Sequence, residues 1–87
     1  MIPYHLEIPP DVASSLRRLS PDIKKSVKEA LRALAWEPDL GDRLTGELEG
    51  FWRYRVRRYR IVYMPARETR TILIYAIGHR RDIYERR

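Results

Sequence analysis

The stretch Phe51-Trp52-Arg53-Tyr54-Arg55-Val56-Arg57-Arg58-Tyr59-Arg60-Ile61-Val62-Tyr63 alternates apolar or aromatic residues with arginines almost throughout. A period of two is that of a half-buried β-strand. Folding the stretch back on itself at Arg57-Arg58 sets Val56 opposite Tyr59, Tyr54 opposite Ile61 and Trp52 opposite Tyr63 on one face. The other face then carries Arg55 opposite Arg60, with Arg53 beside them. Like charges facing each other across a ladder destabilise a sheet, so this face reads as a platform for a polyanion, a phosphodiester backbone above all. Two arginines are poor residues for a two-residue hairpin turn, which prefers Asn-Gly or a glycine at positive φ. A longer loop is therefore an open alternative. Any even-numbered loop on the same centre keeps the platform together, whereas an odd one separates Arg55 from Arg60 unless a bulge compensates.

Charge distribution sharpens that reading. Residues 1 to 50 carry seven Lys/Arg and nine Asp/Glu, while residues 51 to 87 carry eleven arginines and three acids, so the halves are net −2 and +8. All three lysines fall in the first half. An arginine-only basic half suits phosphate, which the planar guanidinium fork grips bidentately and without losing its charge when desolvated. At 87 residues without cysteine, the chain is expected to form a single domain, residues 1–87, near the lower limit for a self-sufficient core and with no disulfide or thiolate metal site. It has no apolar run of the roughly 18 residues that span a bilayer. Its first residues also lack the basic-then-apolar layout of a signal peptide. A cytoplasmic protein with no membrane partner is expected.

Taken in order, residues 2 to 8 place Tyr4, Leu6 and Ile8 on one side of a short strand. Pro9-Pro10-Asp11 opens a short helix with a Val12, Leu16 and Leu19 stripe, ending near Leu19. Ser20-Pro21-Asp22 reads as an N-cap, a proline at the first helical position and a dipole-favourable acid. The second helix turns Ile23, Val27, Ala30, Leu31 and Leu34 inward and Lys24, Lys25, Lys28 and Arg32 outward. Glu37-Pro38 ends it, and residues 37 to 50 read as an irregular connection. After the hairpin, Thr71 to Ile77 is an apolar run suited to a central strand covered on both faces, which Gly78 is expected to stop. The fold class is α+β in the order β-α-α-β-β-β, with both helices on one face of a largely antiparallel sheet.

Three segments carry a resemblance: Leu48-Glu49-Gly50-Phe51-Trp52-Arg53-Tyr54-Arg55-Val56, Tyr59-Arg60-Ile61-Val62-Tyr63, and Ile77-Gly78-His79-Arg80-Arg81-Asp82-Ile83-Tyr84. They resemble RelE-type toxins of toxin–antitoxin modules, within the RelE/ParE superfamily. The resemblance implies a small endoribonuclease that enters the ribosomal A site and cuts mRNA. It also implies a cognate antitoxin that holds the toxin inactive and through which alone it meets operator DNA. By the same resemblance, the hairpin cations are Arg53, Arg55 and Arg60, the arginine after the last strand is Arg80, and the base-stacking terminal tyrosine is Tyr84. Ribosome-dependent relatives often have lysines where this chain has Arg53 and Arg55, and arginine does not transfer its proton. A non-enzymatic ParE-like inhibitor of DNA gyrase is the alternative that the same motifs admit.

Metal-independent cleavage uses the RNA's own 2′-hydroxyl on the adjacent phosphate, so the protein must align the phosphate, stabilise the phosphorane and move two protons. Arg60 and Arg80 are the candidates for charge stabilisation, and Arg53, Arg55 and Arg81 for positioning the backbone. His79 is the one histidine near the cluster. Its roles are a proton shuttle or, equally, a strand cap or antitoxin contact. Tyr84 is suited to base stacking or proton donation, or to packing on the sheet edge. Asp42, Glu47 and Glu49 flank the site as charge balance or as a carboxylate base. His5 has no partner at metal-ligand spacing, so neither metal nor cofactor is expected.

Overall fold

Two proline-led helices fix the first third of the chain. Pro9 and Ser20 hold extended backbones (φ −61°, ψ 159° and φ −63°, ψ 156°), and each precedes a proline at the first helical position. The helices are α1 (Pro10–Arg17) and α2 (Pro21–Trp36). Ser20 occupies the N-cap position without a hydroxyl cap bond, its carbonyl instead accepting from Lys24 N at 2.8 Å. Glu37 leaves helical geometry (φ −135°, ψ 85°) because it precedes Pro38, which disfavours the α region for its neighbour.

The structure, a computed structural model, describes residues 2–79. The strands are β1 (His5–Glu7), β2 (Asp42–Arg43), β3 (Trp52–Val56), β4 (Tyr59–Ala66) and β5 (Thr71–His79), ordered β1-β5-β4-β3-β2 in one sheet. All pairings are antiparallel except β1 with β5. Both helices lie on one face. Val12 of α1 and Val27, Leu31 and Leu34 of α2 pack against Val56, Ile61, Tyr63, Ile72, Ile74 and Ile77 of the sheet. The α+β class and the element order match the expectation, with three differences. Residues 37 to 50 are not wholly irregular: β2 adds a fifth strand beside β3, between two single 3₁₀ turns. β5 runs through Gly78 to His79, because both stay paired with β4. It is also not covered on both faces, since Tyr75 is 49% exposed.

The hairpin folds as the alternation predicts. Val56 opposes Tyr59, so the turn is two residues long, and Tyr54 opposes Ile61 while Arg55 opposes Arg60. Arg57 meets the geometry by adopting φ 57°, a left-handed backbone that costs a side chain with a Cβ roughly 1–2 kcal/mol.

Tyr63 ties the connection before β3 to this sheet. Its hydroxyl donates to Pro38 O at 2.7 Å and accepts from Gly41 N at 3.1 Å. Gly41 has to be glycine, since a Cβ there would meet Arg53 O at 2.5 Å and the Tyr63 hydroxyl at 2.6 Å. Burial pushes the Tyr63 pKa up to about 12, with the charges of Asp39 and Asp42 adding to the rise and the Gly41 N–H opposing it.

Two substitutions test these features. Tyr63→Phe leaves Pro38 O and Gly41 N unsatisfied and lowers the unfolding free energy by about 1–3 kcal/mol in urea melts at pH 7. In the wild type the folded pKa lies above the unfolded one, so Tyr63's contribution is complete below pH 10 and falls as pH rises toward 12; the variant lacks that part of the alkaline decline. Arg57→Gly relieves the left-handed turn and raises stability by roughly 0.5–1 kcal/mol in the same assay.

Candidate functional site

Cross-strand partners share a face, which settles where the arginines point. Arg53 opposes Val62 and Arg55 opposes Arg60, and in turn Val62 opposes Ala76 and Arg60 opposes Gly78. All of these lie on the face turned away from the helices. Val62 and Ala76 are buried there beneath Leu44 and Phe51, a second apolar cluster small beside the main core. The cations stand next to it.

Each arginine has a different environment. Arg55 is exposed. The Arg53 side chain is 23% exposed and reaches Asp42 of the neighbouring strand with an Nη2–Oδ2 distance of 3.7 Å. Asp42 is largely in water, so this pair orients Arg53 more than it stabilises the fold. Arg60 is 5% exposed and is the one buried charged residue among the described residues. A guanidinium out of water is tolerated only when its donors are satisfied, and Gly78 across the ladder offers no side chain to crowd it. Such a cation is already desolvated and fixed, the condition under which charge acts most strongly on a bound phosphate.

The structure brings Arg53, Arg55 and Arg60 together, with Asp42 beside them. His79 is placed elsewhere. It opposes Tyr59, with the two rings edge to face at 5.7 Å and 76°, on the face that carries Ile61 and Ile77. Trp52, Tyr54 and Tyr63 pack in the core, as their alternation predicts. Arg80, Arg81 and Tyr84 lie outside the described residues. Glu49, with Arg43 and Arg67, lines a separate open cleft of about 610 Å³ at the end of the hairpin away from its turn. Arg67 there is hydrogen-bonded to Asp39, which holds its pKa above the usual value.

The alternation did not reveal Tyr75. The β4–β5 register passes from Val62 opposite Ala76 to Tyr63 opposite Ile74, so Tyr75 is the extra residue of a bulge, half exposed with its ring 5.0 Å from Phe51. A bulge shifts the strand's parity, and the sole trace in the sequence is a tyrosine inside an aliphatic run. Among the described residues no three His, Cys, Asp or Glu side chains gather as a metal site, and no helix is long and apolar enough to cross a membrane.

Comparison with known proteins gives this geometry a family. Residues 6–84 match the family model described as ParE toxin of type II toxin-antitoxin system, parDE. Toxin RelG of Mycobacterium tuberculosis is 34% identical over 87 residues, spanning 98% of this chain and 100% of RelG. The crystal structure of the toxin–antitoxin complex RelBE2 from the same organism superposes with a TM-score of 0.82 at 32% identity, over 92% of this chain and 94% of that one. The isolated E. coli RelE toxin superposes with a TM-score of 0.77 at 21% identity, over 94% and 92% of the two chains, a likeness of fold. The chain belongs to the ParE toxin family of type II toxin–antitoxin systems, within the RelE/ParE superfamily.

Proposed function

We propose that this toxin is an endoribonuclease that cuts mRNA in the ribosomal A site without a metal and is silenced by a cognate antitoxin in the cytoplasm. One observation carries the reading: Arg53, Arg55 and Arg60 share the face that the helices leave uncovered, with Arg55 directly opposite Arg60. A phosphodiester laid across that face relieves the like-charge pair and meets a cation already out of water. Solved relatives include toxin–antitoxin complexes, RelBE2 of M. tuberculosis and RelE–RelB of Pyrococcus horikoshii. They support an antitoxin partner for this chain.

In the reaction, the 2′-oxygen of one nucleotide attacks its own 3′-phosphorus while the bond to the next 5′-oxygen breaks, leaving a 2′,3′-cyclic phosphate and a 5′-hydroxyl. The 2′-proton goes to a base, and the leaving 5′-oxygen takes a proton from an acid. Arg60, with Arg80, neutralises the two charges of the phosphorane; Arg53, Arg55 and Arg81 hold the backbone in line; Tyr84 stacks on a base or protonates the leaving oxygen. The edge-to-face packing of His79 on Tyr59, away from the arginine face, supports a structural role for it over proton transfer.

The second reading is a ParE-like inhibitor that binds DNA gyrase without catalysis, favoured by the family model that residues 6–84 match. Primer extension on a defined mRNA, with and without programmed ribosomes, separates the two. The wild type is expected to give discrete ribosome-dependent stops. Arg55→Ala, an exposed site, slows cleavage roughly ten- to a hundred-fold, the range for a lost hydrogen bond to charge. Arg60→Lys loses the fork and, at a buried position where desolvation favours the neutral amine, weakens the charge, and slows it further. Intact mRNA throughout, together with inhibition in a gyrase supercoiling assay, would establish the second reading instead.

A further inference from the structure

We propose that Phe51 and Tyr75 form a stacking subsite for one base of single-stranded RNA, beside the arginine face and outside the residues assigned to cleavage. The inference rests on the RNA-cutting reading. Phe51 precedes β3 in the parity of Arg53 and Arg55 and packs over Val62 and Ala76, so its ring lies on the arginine face. Tyr75, pushed out by the β-bulge, meets it at 5.0 Å with the ring planes inclined by 50° and remains 49% exposed. Aromatic rings presented on a sheet beside cations are a usual device for single strands, because every base has a π-face and its phosphate sits within reach of a basic neighbour.

The spacing defines the register. Successive same-face positions on a strand are about 6.7 Å apart, so Phe51 stands next to Arg53 and roughly 13 Å from Arg55. A base stacked at Tyr75 is therefore that of a neighbouring nucleotide, not of the one whose phosphate meets Arg60. The patch favours a base over a protein partner by size and charge. Two rings are too little to seat the apolar face of a helix, which needs anchors over successive turns, and they adjoin the cations of the basic half of the chain.

The test is fluorescence anisotropy with the purified toxin and a 2′-O-methyl ten-mer, which offers no 2′-hydroxyl and is not cut, alongside the same oligomer with abasic sugars at successive positions. Tyr75→Leu is expected to weaken binding of the intact oligomer roughly five- to thirty-fold, in the lower part of the range for one stacked base. Tyr75→Phe restores it. With the abasic position in register, the wild type and Tyr75→Leu bind alike. Arg55→Ala weakens intact and abasic oligomers equally and flattens the salt dependence. Binding that responds to Arg55→Ala but not to Tyr75→Leu overturns the stacking subsite alone. An oligomer that binds none of these proteins, with mRNA left uncut, overturns the RNA reading beneath it. Loss of antitoxin affinity in Tyr75→Leu with unchanged oligomer binding also overturns the subsite and assigns the rings to the protein partner. Should Tyr75→Leu fail to fold, Phe51→Leu carries the same comparison.

Discussion

The two-residue turn at Arg57 and Arg58 is the constraint from which both faces of the sheet follow. With Val56 set opposite Tyr59, alternation leaves no freedom: Trp52, Tyr54, Ile61 and Tyr63 go under the helices, and Arg53, Arg55 and Arg60 go outside. A one-residue slip of β4 would exchange its core and platform residues. The core penalises such a slip, because Ile61 and Tyr63 are wholly buried and would be replaced there by Arg60 and Val62. Hydrophobic burial thus holds the cations in place indirectly, and the strained turn at Arg57 is the smaller energy that this register tolerates.

Tyr63 joins the core to the arginine face. Its ring stacks on Trp52 at 6.3 Å, its hydroxyl holds Pro38 and Gly41, and its backbone borders the bulge that sends out Tyr75. The segment thus held leads directly into β2, whose Asp42 faces Arg53. One buried side chain therefore positions an acid at one edge of the arginine face, while the register shift beside it presents an aromatic ring at another. Because Gly41 admits no Cβ against Arg53 O and the Tyr63 hydroxyl, this corner is set by contact on two sides.

What the sequence disclosed, and what it did not, divides along the range of the forces involved. The hairpin, the helix stripes and the arginine face were legible because each rests on local periodicity, with the apolar phase of Trp52 to Val56 and of Tyr59 to Tyr63 agreeing across the turn. β2 was not, since a two-residue strand has no periodicity and exists because Trp52 and Arg53 pair with it and the Tyr63 hydroxyl holds the segment before it. The bulge was hidden for a related reason: it is a mismatch between two strands and leaves each looking regular. His79 was read by proximity in sequence to the arginines. Strand alternation instead turns it to the other face, a step the expected stop at Gly78 concealed. The burial of Arg60 was equally out of reach, because Arg55 and Arg60 read alike in the alternation and differ only once the sheet is assembled.

That difference between Arg55 and Arg60 bears on why arginine serves on this face. A lysine at position 60 would bring a compact, strongly hydrated ammonium into a site that is 5% exposed, where desolvation favours its neutral form. Arginine stays charged there. The same property that makes it a poor proton donor makes it a permanent cation, suited to holding an anion by electrostatics and position rather than to moving protons. Arg55, in water and directly opposite, contributes less per charge but adds to the repulsion across the ladder. A face so arranged is more stable with a polyanion on it than without, by the mass-action term that any ligand specific for the folded state contributes. For the toxin, whatever binds this face also supports the fold.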